Sequence, residues 1–100
     1  MGRTFEFQGS LWEYPGEAPW VFVTLPAEVA DGIADLAAPG RGFGSVRVDA
    51  RLGATTWSTS LFPDRRSASY LLPVKRAVRE AEGLVAGDVV GVRLEVDDPP

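Results

Sequence analysis

The chain of 100 residues contains no cysteine and no histidine. Without cysteine there is neither a disulfide framework nor a thiolate nucleophile, and the redox compartment stays open. Without histidine the commonest general base and metal ligand is missing, and with it every Ser-His or Cys-His scheme. No HExxH, calcium-loop or Cys-cluster spacing occurs, so the pattern points to no metal and no cofactor. No apolar run approaches the ~20 residues needed to span a bilayer. The segment Met1-Gly2-Arg3-Thr4-Phe5-Glu6 alternates like a strand and lacks the apolar core of a signal peptide. Glu6 also stands where a myristoylation site has Ser or Thr. The expectation is a cytoplasmic protein with no membrane partner.

What is present is the composition of one globular domain, residues 1–100, with 45% hydrophobic and 24% charged residues. The net charge of −4 is segregated. Residues 1–40 carry one basic residue, Arg3, against six acidic ones, whereas residues 41–80 carry eight basic against three acidic. The last twenty return to acidic, with Arg93 against five acids. Two readings are open: the basic block focuses a field on one face, or interleaved strands mix the signs.

The chain also echoes itself. A strand ending in Leu-Pro and running into an amphipathic helix occurs at Phe22-Val-Thr-Leu-Pro-Ala-Glu-Val29 and again at Tyr70-Leu-Leu-Pro-Val-Lys-Arg-Ala77. Thr4–Trp12 reads as a first strand with a bulge at Gly9, and Trp20–Leu25 as a second. Pro26 fits the first helical position, followed by the apolar stripe Val29, Ile33 and Leu36, with Pro39-Gly40 ending the helix. Phe43–Leu52 and Thr55–Leu61 read as strands joined tightly around Gly53, and Pro63–Ser67 as a polar loop. The second Leu-Pro, at Pro73, again precedes a helix, with a stripe of Val74, Val78 and Ala81. Gly83 terminates that helix. Ala86-Gly-Asp88 then turns into a last strand, Val89–Val96, and residues 97–100 form a frayed tail. The fold class expected is mainly β: a small barrel of six to seven strands with two short helices and two similar halves.

The stretch Leu72-Pro73, then Val78-Arg79-Glu80-Ala81-Glu82-Gly83-Leu84-Val85-Ala86-Gly87-Asp88-Val89-Val90, resembles the swapped-hairpin pattern of AbrB/MazE/MraZ-like domains. Those domains are about half as long and dimerise to complete one barrel, so the resemblance implies that this chain supplies both halves itself. Glu82 departs from the pattern, which has an apolar residue there. Taken whole, the chain resembles a small bacterial family of unknown function with a double-split barrel, sometimes fused to a YdeI/OmpD-associated domain. The resemblance is carried by Trp20-Val-Phe-Val-Thr-Leu-Pro26, Arg41-Gly-Phe-Gly-Ser-Val-Arg-Val48, Thr56-Trp-Ser-Thr-Ser-Leu-Phe-Pro63 and Tyr70-Leu-Leu-Pro-Val-Lys75. It implies a fold and no activity.

The candidate ligand-binding residues are Arg41, Ser45, Arg47, Ser60, Tyr70 and Lys75. Guanidiniums, an ammonium and hydroxyls suit an anion, and Arg offers a bidentate fork. Pairing of the two central strands is expected to bring Arg47 near Thr56 and Ser58. The bland reading is a solvated sheet face whose arginines pair with Asp49 and Asp64. Arg41-Gly-Phe-Gly-Ser45 fits a tight turn as well as a phosphate loop. Trp20 and Trp57 read as core or barrel-mouth packing, and Trp12 as the more exposed ring. The function expected is a non-catalytic, monomeric module for a small anionic ligand or a protein partner. The alternative is nucleic-acid binding through Arg51, Arg65, Arg66, Arg76 and Arg79. Catalysis would fall to Lys75 or Tyr70, the only plausible acid–base groups.

Overall fold

The computed structural model describes residues 2–16, 20–36 and 44–97. Arg41, the strand start at Phe43, the helix end at Pro39-Gly40 and residues 98–100 lie outside the described residues. The elements are β1 (Gly2–Tyr14), β2 (Trp20–Thr24), α1 (Ala27–Leu36), β3 (Val46–Leu52), β4 (Thr55–Asp64), β5 (Ser69–Pro73), α2 (Arg76–Glu82) and β6 (Val89–Asp97). The six strands close into an antiparallel barrel in the order β1-β2-β5-β4-β3-β6. Closure removes the free sheet edges that a six-stranded open sheet would expose.

In chain order this is one unit, strand-strand-helix-strand, used twice: β1-β2-α1-β3 and β4-β5-α2-β6. Exchanging the two units maps the barrel order onto itself, with β2 beside β5 and β3 beside β6. The long strands β1 and β4 each serve two partners. Residues 2–10 of β1 pair with β6 and 11–14 with β2. Residues 55–61 of β4 pair with β3 and 62–64 with β5. Each long strand therefore passes from one half of the barrel to the other.

One hydrophobic cluster fills the interior. Leu11, Val23, Ile33, Leu61, Leu72 and Leu94 are all at most 1% exposed. They come from both units and from α1, so neither unit buries its apolar face without the other. Alternation along β3 follows the expectation: Val48, Ala50 and Leu52 are buried, while Arg47, Asp49 and Arg51 are exposed.

Several sequence readings are corrected. Gly9 is not a bulge, because β1 and β6 pair without interruption from Gly2↔Asp97 to Ser10↔Val89. It is instead a close approach: a Cβ there would come within 2.6 Å of Val23 Cγ1. Pro26 caps α1 rather than opening it, since its carbonyl accepts the first helical bond from Ala30 N–H at 2.9 Å. Pro73 is a strand residue paired with Phe22, and the helix starts three residues later. Pro63 and Asp64 extend β4, leaving only residues 65–68 as the turn. Ala81 is exposed, so the second helix buries Val78 but not a full stripe. Asp97 belongs to β6 and pairs with Gly2, so the frayed tail expected from residue 97 does not include it.

Candidate functional site

The place where β5 stops creates the most chemically featured surface of the molecule. Pro73 lacks an N–H and cannot continue the ladder as a donor. Val74 N–H still donates to Val21 C=O at 2.9 Å, and Lys75 remains extended before α2 turns away. The neighbours on either side run on. Phe22 pairs with Pro73, so Val21 and Trp20 of β2 lie beyond the end of β5. Phe62 pairs with Leu71, so in the same register Ser60 falls opposite Pro73 and Ser58 lies beyond the end of β5. Between these two strands and α2 opens a groove of about 500 Å³.

Its cations are Arg47 from β3, Lys75, and Arg76 and Arg79 from α2. Arg47 stands directly across the β3–β4 ladder from Ser60, with Ser58 one outward position further along β4. Arg79 is partly buried and donates from Nε to Val74 C=O at 3.1 Å, which anchors its guanidinium against the groove floor. Arg76 makes an exposed pair with Glu80, Nε to Oε1 2.8 Å. Such a surface pair contributes little and leaves the charge available. Neither Arg47 nor Lys75 has a carboxylate partner among the described residues. Asp49 and Glu95 border a small hollow with Arg47, without forming an ion pair with it. Asp49 accepts from Ser58 Oγ, and Asp64 from Ser67 Oγ at 2.7 Å.

The groove is also aromatic. Trp20 is 56% exposed and Phe62 43% exposed, and Trp57 completes the lining. Trp20 stacks on Phe22 with ring planes 10° apart and centroids 6.1 Å apart. Phe22 packs against Trp12, whose indole N–H donates to Thr24 Oγ1 at 2.9 Å. Trp12, expected to be the exposed ring, is therefore the pinned one, and Trp20 is the exposed one. The parity of β2 carried that signal: Val21 and Val23 face the core, so Trp20 and Phe22 face out.

Of the residues singled out from sequence, Arg47, Ser60 and Lys75 come together here, joined by Arg76 and Arg79 from the nucleic-acid set. Ser45 is exposed ahead of β3 and does not line the groove. Tyr70 is a core residue, 1% exposed, and burial pushes its phenol above the ordinary value of 10.0. Its ring borders a separate hollow with Asp31 and Arg65. Thr56 stands opposite Arg51, not beside Arg47. Arg51 lines another shallow groove with Glu6 and Arg93, and Arg66 sits in the exposed 65–68 turn. Sequence reasoning set Ser58 near Arg47 but missed Trp20 and Phe62 as site residues, because their convergence depends on where β5 ends.

The two halves differ at this seam. Aligning the helix starts sets Ala27 against Arg76 and Ala30 against Arg79. The repeated architecture thus carries its helix cations in the second unit only.

Among the described residues no group of three or more His, Cys, Asp or Glu is placed to hold a metal ion. No helix among them is long and apolar enough to cross a membrane. No curated protein matches the chain. Residues 7–94 match the model of a domain of unknown function, DUF1905, which spans both units of the barrel. That match, over most of the chain, makes this chain a member of the DUF1905 family.

Proposed function

We propose that the protein is a non-catalytic binding module whose groove at the end of β5 takes a small anionic ligand. The observation that carries this reading is the meeting of Arg47 and Lys75, both without a carboxylate partner among the described residues, with Arg76, Arg79 and the Ser60 hydroxyl. Like charges gathered on one groove repel one another, and an anion relieves that repulsion through charge-assisted hydrogen bonds. In this reading the chain is a cytoplasmic monomer. Its second unit supplies the strands that half-length AbrB/MazE-type domains take from a partner, and the repeated unit with its Gly87-Asp88 turn supports kinship with them. A YdeI/OmpD-associated domain is the companion proposed for it. The duplex-DNA alternative is less well supported, because Arg51 and Arg65 line other grooves than the one that holds Arg76 and Arg79.

The test is a thermal-shift and calorimetric titration with inorganic phosphate, pyrophosphate and citrate. An anion at 100 times its dissociation constant should raise the melting temperature by roughly 10 °C or more. Arg47→Glu and Lys75→Glu should each weaken binding at least about tenfold while leaving the ligand-free melting temperature unchanged. Arg51→Glu should leave binding intact. No response to any anion, or binding indifferent to Arg47 and Lys75, overturns the reading.

A further inference from the structure

We infer that the anion this groove takes is a nucleoside phosphate, its base stacked on Trp20 and its phosphate held by Arg47 and Lys75. The inference rests on the anion-binding reading and goes beyond it by naming the ligand's other end. Cations alone would serve any small anion. What they do not account for is a large indole more than half exposed on the same groove.

The indole is not a loosely placed surface ring. Its ring lies nearly parallel to that of Phe22, and Phe22 is braced by Trp12, itself tied to Thr24. A rigid, exposed aromatic loses little entropy when a planar ligand stacks on it, which is the property of a base-stacking platform. Phe62 presents a second exposed ring across the groove from the β4 side. Neither ring fills the core, whose inward positions on those strands belong to Val21, Val23 and Leu61. The groove therefore offers two unlike surfaces to one ligand: π-faces on β2 and β4, and unpaired positive charge on Arg47 and Lys75. A nucleoside phosphate has the matching halves, a planar heterocycle and a dianion separated by a sugar. A volume of about 500 Å³ suits one nucleotide rather than a polymer.

The test compares adenosine 5′-monophosphate, ribose 5-phosphate, inorganic phosphate and a short oligothymidylate on the intact chain, by calorimetry and tryptophan fluorescence. Adenosine monophosphate is expected to bind about tenfold or more tighter than ribose 5-phosphate, and to quench tryptophan emission. Trp20→Ala should remove that preference, weakening adenosine monophosphate far more than ribose 5-phosphate, and Trp20→Phe should restore most of it. Arg47→Glu should weaken both ligands. Equal binding of the two monophosphates overturns the inference and leaves the anion site standing. Binding of neither overturns both. An oligonucleotide that binds where the mononucleotide does not overturns the inference in favour of a strand-binding surface.

Discussion

Glu82 is the last residue of α2, and its carboxylate fastens that helix to the β3–β4 turn. Thr55 Oγ1 donates to Glu82 Oε2 at 2.6 Å, and the same carboxylate lies against Gly53. A negative charge near a helix C-terminus is unfavourable to the macrodipole, so the Thr55 hydrogen bond is what makes the position tolerable. Gly53 has φ +62°, a left-handed conformation, and a methyl there would run into the Glu82 carboxylate. Gly53→Ala is expected to destabilise by about 2 kcal/mol or more, from backbone strain and loss of this contact together. Glu82→Ala should cost about 1 kcal/mol in the wild-type background. In the double variant the methyl no longer meets a carboxylate, so the two costs should sum to less than their separate values. Urea denaturation of the four proteins measures this, and strict additivity would show that the carboxylate does not constrain the turn.

The end of α2 and the turn after it show why the Gly-Leu-x-x-Gly-Asp segment has that form. Gly83 is left-handed (φ 65°, ψ 39°); its N–H reaches Glu80 C=O at 3.3 Å, and Leu84 N–H reaches Arg79 C=O at 2.9 Å. These two bonds satisfy carbonyls that the helix end would leave open, and Leu84 packs against the core. Asp88 then accepts from Val85 N–H at 2.9 Å and closes the next turn. That turn bonds to β1 twice: Leu11 N–H to Asp88 C=O at 2.9 Å, and Gly87 N–H to Leu11 C=O at 2.8 Å. Leu11 is where β1 leaves β6 for β2, so the turn satisfies the strand's backbone at the changeover. Asp88→Ala is expected to destabilise by about 1–2 kcal/mol. Amide exchange should quicken first at Leu11 and Gly87; uniform acceleration through the barrel would refute a local role for the turn. These element ends were legible in sequence because Gly and Asp act through local backbone geometry. The starts were less so: both prolines sit one to three residues before their helices, since a proline suits a cap or a last strand residue as well as a first turn.

At the scale of the whole molecule, stability depends on two units sharing one core, and Tyr70 lies in it. Burial raises its phenol above the unfolded value, so the folded state favours the protonated form. The associated stability is fully present below pH 10.0 and is lost as the pH rises through the folded-state pKa. The urea midpoint should therefore fall as the pH climbs above about 10, the ordinary phenol value. Tyr70→Phe should flatten that fall whatever it does to stability at pH 7. An equal slope in the variant would assign the alkaline loss to other groups. The same burial bears on chemistry: a phenol raised further from neutrality is a poorer acid–base group than a free one.

The sequence by itself determined the class of molecule. Alternation in β3, the Leu-Pro echo and the Gly-rich turns act over a few residues each, and together they specified a mainly β barrel built from two like units. Arg47, Ser60 and Lys75 could be chosen from sequence because outward strand parity and the step out of the second Leu-Pro are local properties. Only the tertiary structure decided which of them meet. It set Tyr70 in the core, placed Arg51 on another groove, and brought Trp20 of the first unit and Arg79 of the second to the lining of one groove. Those outcomes depend on which strands are neighbours and where β5 stops, and contacts made across a closed barrel are fixed by packing between distant segments rather than by the residues beside them.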